Sequence, residues 1–384
     1  MISSKPPNES TSALSSHDTT KELQNKQELF DLIWQNKNQY YDHLAHSNDR
    51  KGMEGKNPCI ISESKPSYFL SLGMDPFSND GKVMTFYNQV HFNPTQFPTT
   101  DELDHIKNYA REAHVPLLAS IPYYTAPSVE QRLEELFTNG FFMMNKSPGM
   151  ICELNACETS HGEAIFHDLQ IGELKRDENE TSENNILLRE WCSVLVNSFG
   201  FMSKESTIEH FYHLFRNCKY GPSENLRMFY VTHQESPQAQ PVIISVASLF
   251  IEPEKQVCGL YNVATLPNPQ LRRKGAARVL SRYVVHEIGK KQLGLKHCTL
   301  QSTKAAYNLY KQLGFVHVGD WSHAVYPDHA HWSIRLLMNI VLLRLFMKLT
   351  GVRDLTEKSN WYKLLAITVV WFLFLTFLIF FLRF

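Results

Sequence analysis

Between Leu226 and Trp321 the chain sets three apolar runs in close succession, LRMFYVTH (226–233), PVIISVASLFI (241–251) and QVCGLYNVAT (256–265). A helix-patterned stretch (275–292), a fourth strand KHCTLQ (296–301), a short helix (303–313) and a last strand FVHVGDW (315–321) follow. Strands joined by turn residues and then interleaved with helices can bury their apolar faces only as an α/β layer structure. That order excludes an all-helical bundle, and the helices between strands exclude an all-β sandwich.

The remaining segments extend this pattern. Residues 1–20 are polar and rich in Ser and Thr, which predicts a disordered tail. Residues 21–48 carry Leu23, Leu29, Phe30, Leu32 and Ile33 at helical spacing. Within 59–157, strands are expected at 68–73, 83–92, 116–124 and 150–155, with helices at 99–115 and 128–141. The acidic stretch KRDENETSENN (175–185) reads as a loop, and helices follow at 186–200 and 206–218. The order helix, Gly-Phe, strand occurs twice, at Leu136–Asn155 and at Leu309–Trp321. The expected division is a tail (1–20), an N-terminal helix with a small α/β domain (21–157), a larger α/β domain (158–326), a basic apolar segment (331–351) and a membrane span (361–382).

A formal net charge of −1 over 384 residues gives no overall pull toward nucleic acid, so no nucleic-acid partner is expected and any anion site must be local. Seven cysteines without a CxxC pair read as reduced, mostly buried thiols. No metal is expected. His323, Asp328, His329 and His331 lie close in sequence, but their spacing matches no metal motif, and HAVYPDHAHW reads as a polar connector.

Leu364–Leu382 is free of charge for 19 residues, about 28 Å as a helix, close to the roughly 30 Å of a bilayer's hydrocarbon. Trp361 and Tyr362 stand at one edge, and Arg353, Lys358 and Lys363 precede it. The expectation is a single-pass C-terminal anchor in a lipid bilayer, with the body of the protein facing the cytosol. His331–Gly351 carries Arg335, Arg344 and Lys348 within an apolar stretch, which suits the membrane surface or the face of the folded domain.

Arg272, Arg273 and Lys274 directly precede Gly275, Ala276 and Ala277 where a helix begins. Bare backbone, free first-turn amides and local positive charge suit a phosphate. Further on, LQSTKAAYNLYKQLGF (300–315) ends a strand, caps a short helix and stops it at Gly314, with Tyr310 one turn from that stop.

Both elements, in this order, resemble the GNAT superfamily of acetyl-CoA-dependent N-acyltransferases. Arg272-x-x-Gly275-x-Ala277 fits the family's phosphate-loop pattern. Ala306-x-x-Leu309-Tyr310 followed by Gly314-Phe315 fits its later signature. Residues 116–157, through Leu133, Gly140-Phe141 and Pro148-Gly149-Met150, resemble a degenerate GNAT-like repeat.

The resemblance implies a GNAT-type mixed, mostly antiparallel sheet flanked by helices. It implies acetyl-CoA as co-substrate and an amine acceptor that attacks directly. Amides from Arg273 to Ala277 would hold the pyrophosphate, with Arg272 beside them. Backbone groups near Asn262, Val263 and Ala264 would bind pantetheine and polarise the thioester. Tyr310 would protonate the departing thiolate. Thr303 stands where many members carry an Asn that contacts the cofactor. The strand 256–265 lacks the Glu that many protein-acetylating members use as general base. Glu252, His233 and Tyr261 are alternatives acting through water, as is a water relay alone. The expected activity is therefore a membrane-anchored N-acetyltransferase. A catalytically weak GNAT module serving as a CoA- or protein-binding scaffold is the alternative.

Overall fold

A computed structural model describes residues 16–49, 61–72, 88–93, 95–112, 117–123, 127–156, 169–177, 182–199, 204–268 and 275–326. The described strands form one sheet of eleven. They are β1 (Ile61–Ser64), β2 (Tyr68–Leu72), β3 (Gln89–Phe92), β4 (Leu117–Tyr123), β5 (Phe142–Glu153), β6 (Leu169–Glu173), β7 (Leu226–His233), β8 (Val242–Glu252), β9 (Val257–Thr265), β10 (His297–Gln301) and β11 (Val316–Tyr326). The helices are α1 (Ser16–Asp49), α2 (Thr100–Glu112), α3 (Pro127–Thr138), α4 (Glu183–Phe199), α5 (Lys204–Asn217), α6 (Ala276–Arg282) and α7 (Tyr307–Gln312). After Arg282 the backbone of α6 continues as wider π-type turns over Tyr283–Gln292.

The strand order is β1-β2-β3-β4-β11-β5-β10-β9-β8-β7-β6. Among the described residues only the β3–β4 and β9–β10 pairs run parallel, each joined through a helix, as parallel neighbours must be. The sheet is therefore mixed and mostly antiparallel, as expected.

The order strand-helix-strand-helix-strand occurs twice, as β3-α2-β4-α3-β5 and as β9-α6-β10-α7-β11. The last strand of each run pairs inside the other: β11 lies between β4 and β5, and β5 between β11 and β10. At the middle of the β5–β11 ladder Trp321 faces Ser147. Val316–Ile151 and Val325–Phe142 pair on either side of it, with one irregularity toward each end. The expected boundary between 157 and 158 thus falls between strands of a single sheet.

Three boundary expectations changed. Helix α1 starts at Ser16, inside the stretch read as tail. β1 and β6 are strands that the sequence reading passed over. The stretch read as a polar connector begins as strand: His323–Tyr326 continue β11 and pair with β4 and β5. Trp321, Ser322, Ala324, Val325 and Tyr326 are all buried, and His323 between them is half-buried. Two flanking strands satisfy the backbone of β11, so its moderate apolar content is no obstacle to burial.

Helices α4 and α5 cover one face of the β7–β9 half with Trp191, Leu195, Phe211 and Phe215. α6 and α7 cover the other with Leu280, Val284, Ile288 and Tyr310. A separate core under α2 and α3 includes Leu103, Ile106, Leu136 and Phe141. Helix α1, about 50 Å long at 34 residues, crosses the α4–α5 face. Phe30 and Ile33 pack with Ile151, Val318 and Trp321, while Tyr40, Tyr41 and Leu44 join the α4–α5 core.

Cys152, Cys192, Cys218, Cys258 and Cys298 are buried thiols in no disulfide, in line with the reading of reduced apolar thiols. At the sheet edge, Arg227 is buried and holds Glu173 with two 2.7 Å bonds, tying β7 to β6. The expected segments at 331–351 and 361–382 lie outside the described residues, and among the described residues no helix is long and apolar enough to cross a membrane.

Candidate active site

Strand β9 carries the local geometry that matters most. Val246 faces Ala264 and Ser248 faces Tyr261, so Asn262 and Val263 together oppose the single residue Ala247. This is a β-bulge, which leaves backbone groups of the extra residue outside the ladder. Asn262 sits there at φ 55, in the left-handed region that Asn tolerates better than most residues. Its side chain fixes the bulge: Nδ2 donates to the Tyr40 hydroxyl at 2.7 Å and to Ser248 Oγ at 3.0 Å. The Tyr40 ring stacks on Tyr261 at 4.2 Å with planes 6° apart. Ala264, two residues past Asn262, accepts Ser245 Oγ on its carbonyl at 2.9 Å.

β9 and β10 pair only from Val257–His297 to Gly259–Thr299. Beyond that pair β9 keeps β8 alone, and β10 runs on to Gln301 against β5. The two parallel strands therefore part immediately before the bulge.

Gly275 stands at the start of α6 with φ 79 and ψ 8, a conformation that costs a residue with Cβ roughly 1–2 kcal/mol. Its carbonyl accepts the amide of Val279 at 2.9 Å, so the helix engages from that residue. Ala276 is buried against the sheet, and Ala277 is half-buried. Arg272, Arg273 and Lys274 lie outside the described residues.

Tyr310, on α7, is buried among Cys298, Leu300 and Phe315, with the Phe315 ring edge-on at 5.8 Å. Burial, helped by Cys298, pushes its phenol well above the ordinary range. The phenol is therefore fully protonated at neutral pH and ready to donate, though a weaker acid than a free tyrosine. Thr303 is exposed, and its Oγ1 accepts the Ala306 amide at 3.3 Å, capping the turn before α7.

Of the alternative bases, Tyr261 and Glu252 are brought together through Asn36 of α1. The Tyr261 hydroxyl donates to Asn36 Oδ1 and Asn36 Nδ2 donates to Glu252 Oε1, both at 2.7 Å. Burial and the Glu252 charge hold the Tyr261 phenol far above its usual range, so it stays protonated and is no base. Glu252 is also paired with Lys255 at 2.7 Å. His233 ends β7, with β8 between it and β9. Among the described residues no cluster of His, Cys, Asp or Glu is arranged to hold a metal.

Helix α1 supplies what the sequence reading missed. Asn36, Lys37 and Tyr40 reach the sheet where β9 and β10 part. The signal lay in NKNQYY (36–41), where Asn36, Lys37, Tyr40 and Tyr41 fall on one helical face with Ile33 and Leu44. Gly259 makes room for them, since a Cβ there would lie 2.0 Å from Asn36 Oδ1.

Residues 239–324 match the family model described as the acetyltransferase (GNAT) domain, a span running from the start of β8 into β11. Among solved structures the chain is similar to a GCN5-related N-acetyltransferase from Kribbella flavida, with 13% identity and a TM-score of 0.46, over 74% of this chain and 96% of that one. It is similar to a Drosophila protein at 13% identity and a TM-score of 0.47, over 82% and 98%. A tandem GNAT protein from the clavulanic acid biosynthesis pathway aligns at 9% identity and a TM-score of 0.41, over 63% and 76%. No curated protein matches the sequence.

Proposed function

We propose, for a chain that carries an N-acetyltransferase domain of the GNAT type, that acetyl-CoA enters where β9 and β10 part and that its acetyl group passes directly to an amine. The observation that carries this reading is the bulge at Asn262–Val263 beside the parting of the two strands. Backbone groups that the bulge at Asn262 and Val263 leaves outside the ladder bind the pantetheine amides and polarise the thioester carbonyl, with Ala264 beside them, its carbonyl already bonded to Ser245 Oγ. Amides of Gly275, Ala276 and Ala277, with Arg272, Arg273 and Lys274, serve the pyrophosphate. Tyr310 donates the proton that the sulfur needs as the C–S bond breaks. Thr303, its hydroxyl engaged in the cap, has a lesser part in holding the cofactor.

In the same reading residues 116–157, which hold β4, α3 and β5, are a degenerate GNAT-like repeat. Its support is the shared element order and the exchange of β5 and β11 about the Ser147–Trp321 pair. Residues 361–382 anchor the chain in a bilayer with the catalytic unit on the cytosolic side, and 331–351 lie along that membrane. The apolar, uncharged composition of 364–382 and the cations before it support this.

Calorimetric titration of acetyl-CoA into wild type and Gly275→Glu tests the cofactor site. Binding by wild type and its loss in the variant are expected, because the substitution sets bulk and negative charge against the phosphates. Equal affinity of the two would remove the phosphate-loop assignment.

A further inference from the structure

Lys37 is a buried lysine without an acid. The residue is 5% exposed, and among the described residues it has no carboxylate in ion-pair range. Nζ instead donates to Ser120 Oγ on β4 at 3.2 Å and to Gln301 Oε1 at the end of β10 at 3.0 Å. It lies 4.9 Å from the centre of the Trp321 ring.

The bonds continue past Ser120. Ser120 Oγ meets His323 Nδ1 at 3.2 Å, and His323 Nε2 meets Ser147 Oγ at 2.8 Å. With the imidazole proton on Nε2, each group donates to the next and the line is unbroken. It begins under α1 and ends at Ser147, which is half-buried on β5.

Its inner end lies beside the parted strands. Gln301 is two residues past Thr299, the last residue of β10 that pairs with β9. Cys298 and Leu300 face the α6–α7 core, so the alternation of the strand turns Thr299 and Gln301 toward α1. Three residues along α1 from Lys37, Tyr40 stacks on Tyr261 and holds Asn262. Helix α1 thus bridges the parting, with Lys37 on the β10 side and Tyr40 on the β9 side. Gln301 Nε2 is buried there without a partner.

We propose that Lys37 takes the proton of the acceptor amine during acetyl transfer and passes it outward through Ser120, His323 and Ser147. This rests on the acetyl-transfer reading, and it supplies the base that β9 lacks. Two protons leave the nitrogen over the reaction, one before attack and one as the C–N bond forms and the C–S bond breaks. One of them replaces the proton that Tyr310 gives to sulfur, and the other is exported.

Burial alone lowers the Lys37 amine to about 7, so a neutral, proton-accepting form is present near neutrality. The titratable groups facing it are His323 on β11, His91 on β3 and Tyr41 on α1 itself. Burial and the Lys37 charge hold His323 down to about 3, so the imidazole hands the proton on rather than storing it. His91 is pushed far down by the same causes and is locked between Asn38 and Gln89 at 2.7 Å each. Burial keeps the Tyr41 phenol protonated.

The test uses the full chain with acetyl-CoA and a panel of primary amines, measuring kcat and KM from pH 6 to 10. Lys37→Met should lower kcat by about 10²-fold or more and remove the limb near neutrality, with acetyl-CoA KM nearly unchanged. Ser120→Ala leaves the amine in place but cuts the line, and should lower kcat by about 10-fold. If Lys37→Met fails to fold, Ser120→Ala decides. Wild-type rates and an unaltered pH profile in the variants, with an active wild type, overturn the relay and leave the transferase standing. A wild type that binds CoA but acetylates no amine overturns the transferase, and the relay with it.

Discussion

Replacing Lys37 by methionine should make the protein more stable while disabling it. The amine is brought from the ordinary 10.5 down to about 7 by burial. At about 1.4 kcal/mol per pKa unit, holding the charged form inside costs about 5 kcal/mol at or below neutral pH. Methionine fills a similar volume without that cost. It leaves Gln301 Oε1 without its donor, a loss of about 1–3 kcal/mol, while Ser120 keeps His323. The net expectation is a gain of about 2–4 kcal/mol at pH 7. The gain must depend on pH. In the unfolded chain the lysine keeps its proton to about 10.5, whereas in the folded chain it releases it near 7. Between those values the unfolded state binds more protons, so wild-type stability climbs with pH and the variant's advantage shrinks. Below 7 both states are protonated and the advantage is full. Urea unfolding of both proteins at half-unit steps from pH 6 to 10 measures this directly. A pH-independent difference, or a variant less stable than wild type at pH 7, would refute the reasoning.

Gly259→Ala should lower stability by about 1–3 kcal/mol and expose α1 to limited proteolysis, because the new Cβ would lie 2.0 Å from Asn36 Oδ1. An unchanged melting curve and digestion pattern would mean that α1 does not rest on the sheet there. Tyr310→Phe should cut kcat by about 10²–10⁴-fold with little change in acetyl-CoA KM, and near-wild-type turnover would leave Tyr310 as a packing residue. Removing residues 361–384 should release the protein from membranes with its acetyl-CoA affinity intact, and retention in the membrane fraction would move the attachment to 331–351.

Much of the fold was legible because local rules settled it. The runs at 226–233, 241–251 and 256–265 are β7, β8 and β9 within a residue or two, since β-branched and aromatic density with turn residues between leaves little choice. Helix α2 was marked by its Thr99 cap and early acids, and Thr99 and Glu102 do cap each other. The last part of β11 was not legible. The polar Ser322-His323 step becomes strand only when β4 and β5 supply its hydrogen bonds from both sides.

The same division runs through the site. Gly275 and Tyr310 stood out in the sequence by local signals, a glycine at a helix start and a tyrosine in a helix-stop motif, whereas the residues around Asn262 were picked out only through the family resemblance. It could not show that Asn262 adopts a left-handed conformation, since the bulge arises from the register between β8 and β9. Nor could it bring Asn36 and Tyr40 to β9, and Lys37 to the end of β10, from more than 200 positions away. Short-range pattern determines which segments are strand or helix, because propensity and periodicity act over a few residues. Which polar groups are buried together, and so which titrate abnormally, depends on how distant segments pack, and that only the tertiary structure decided.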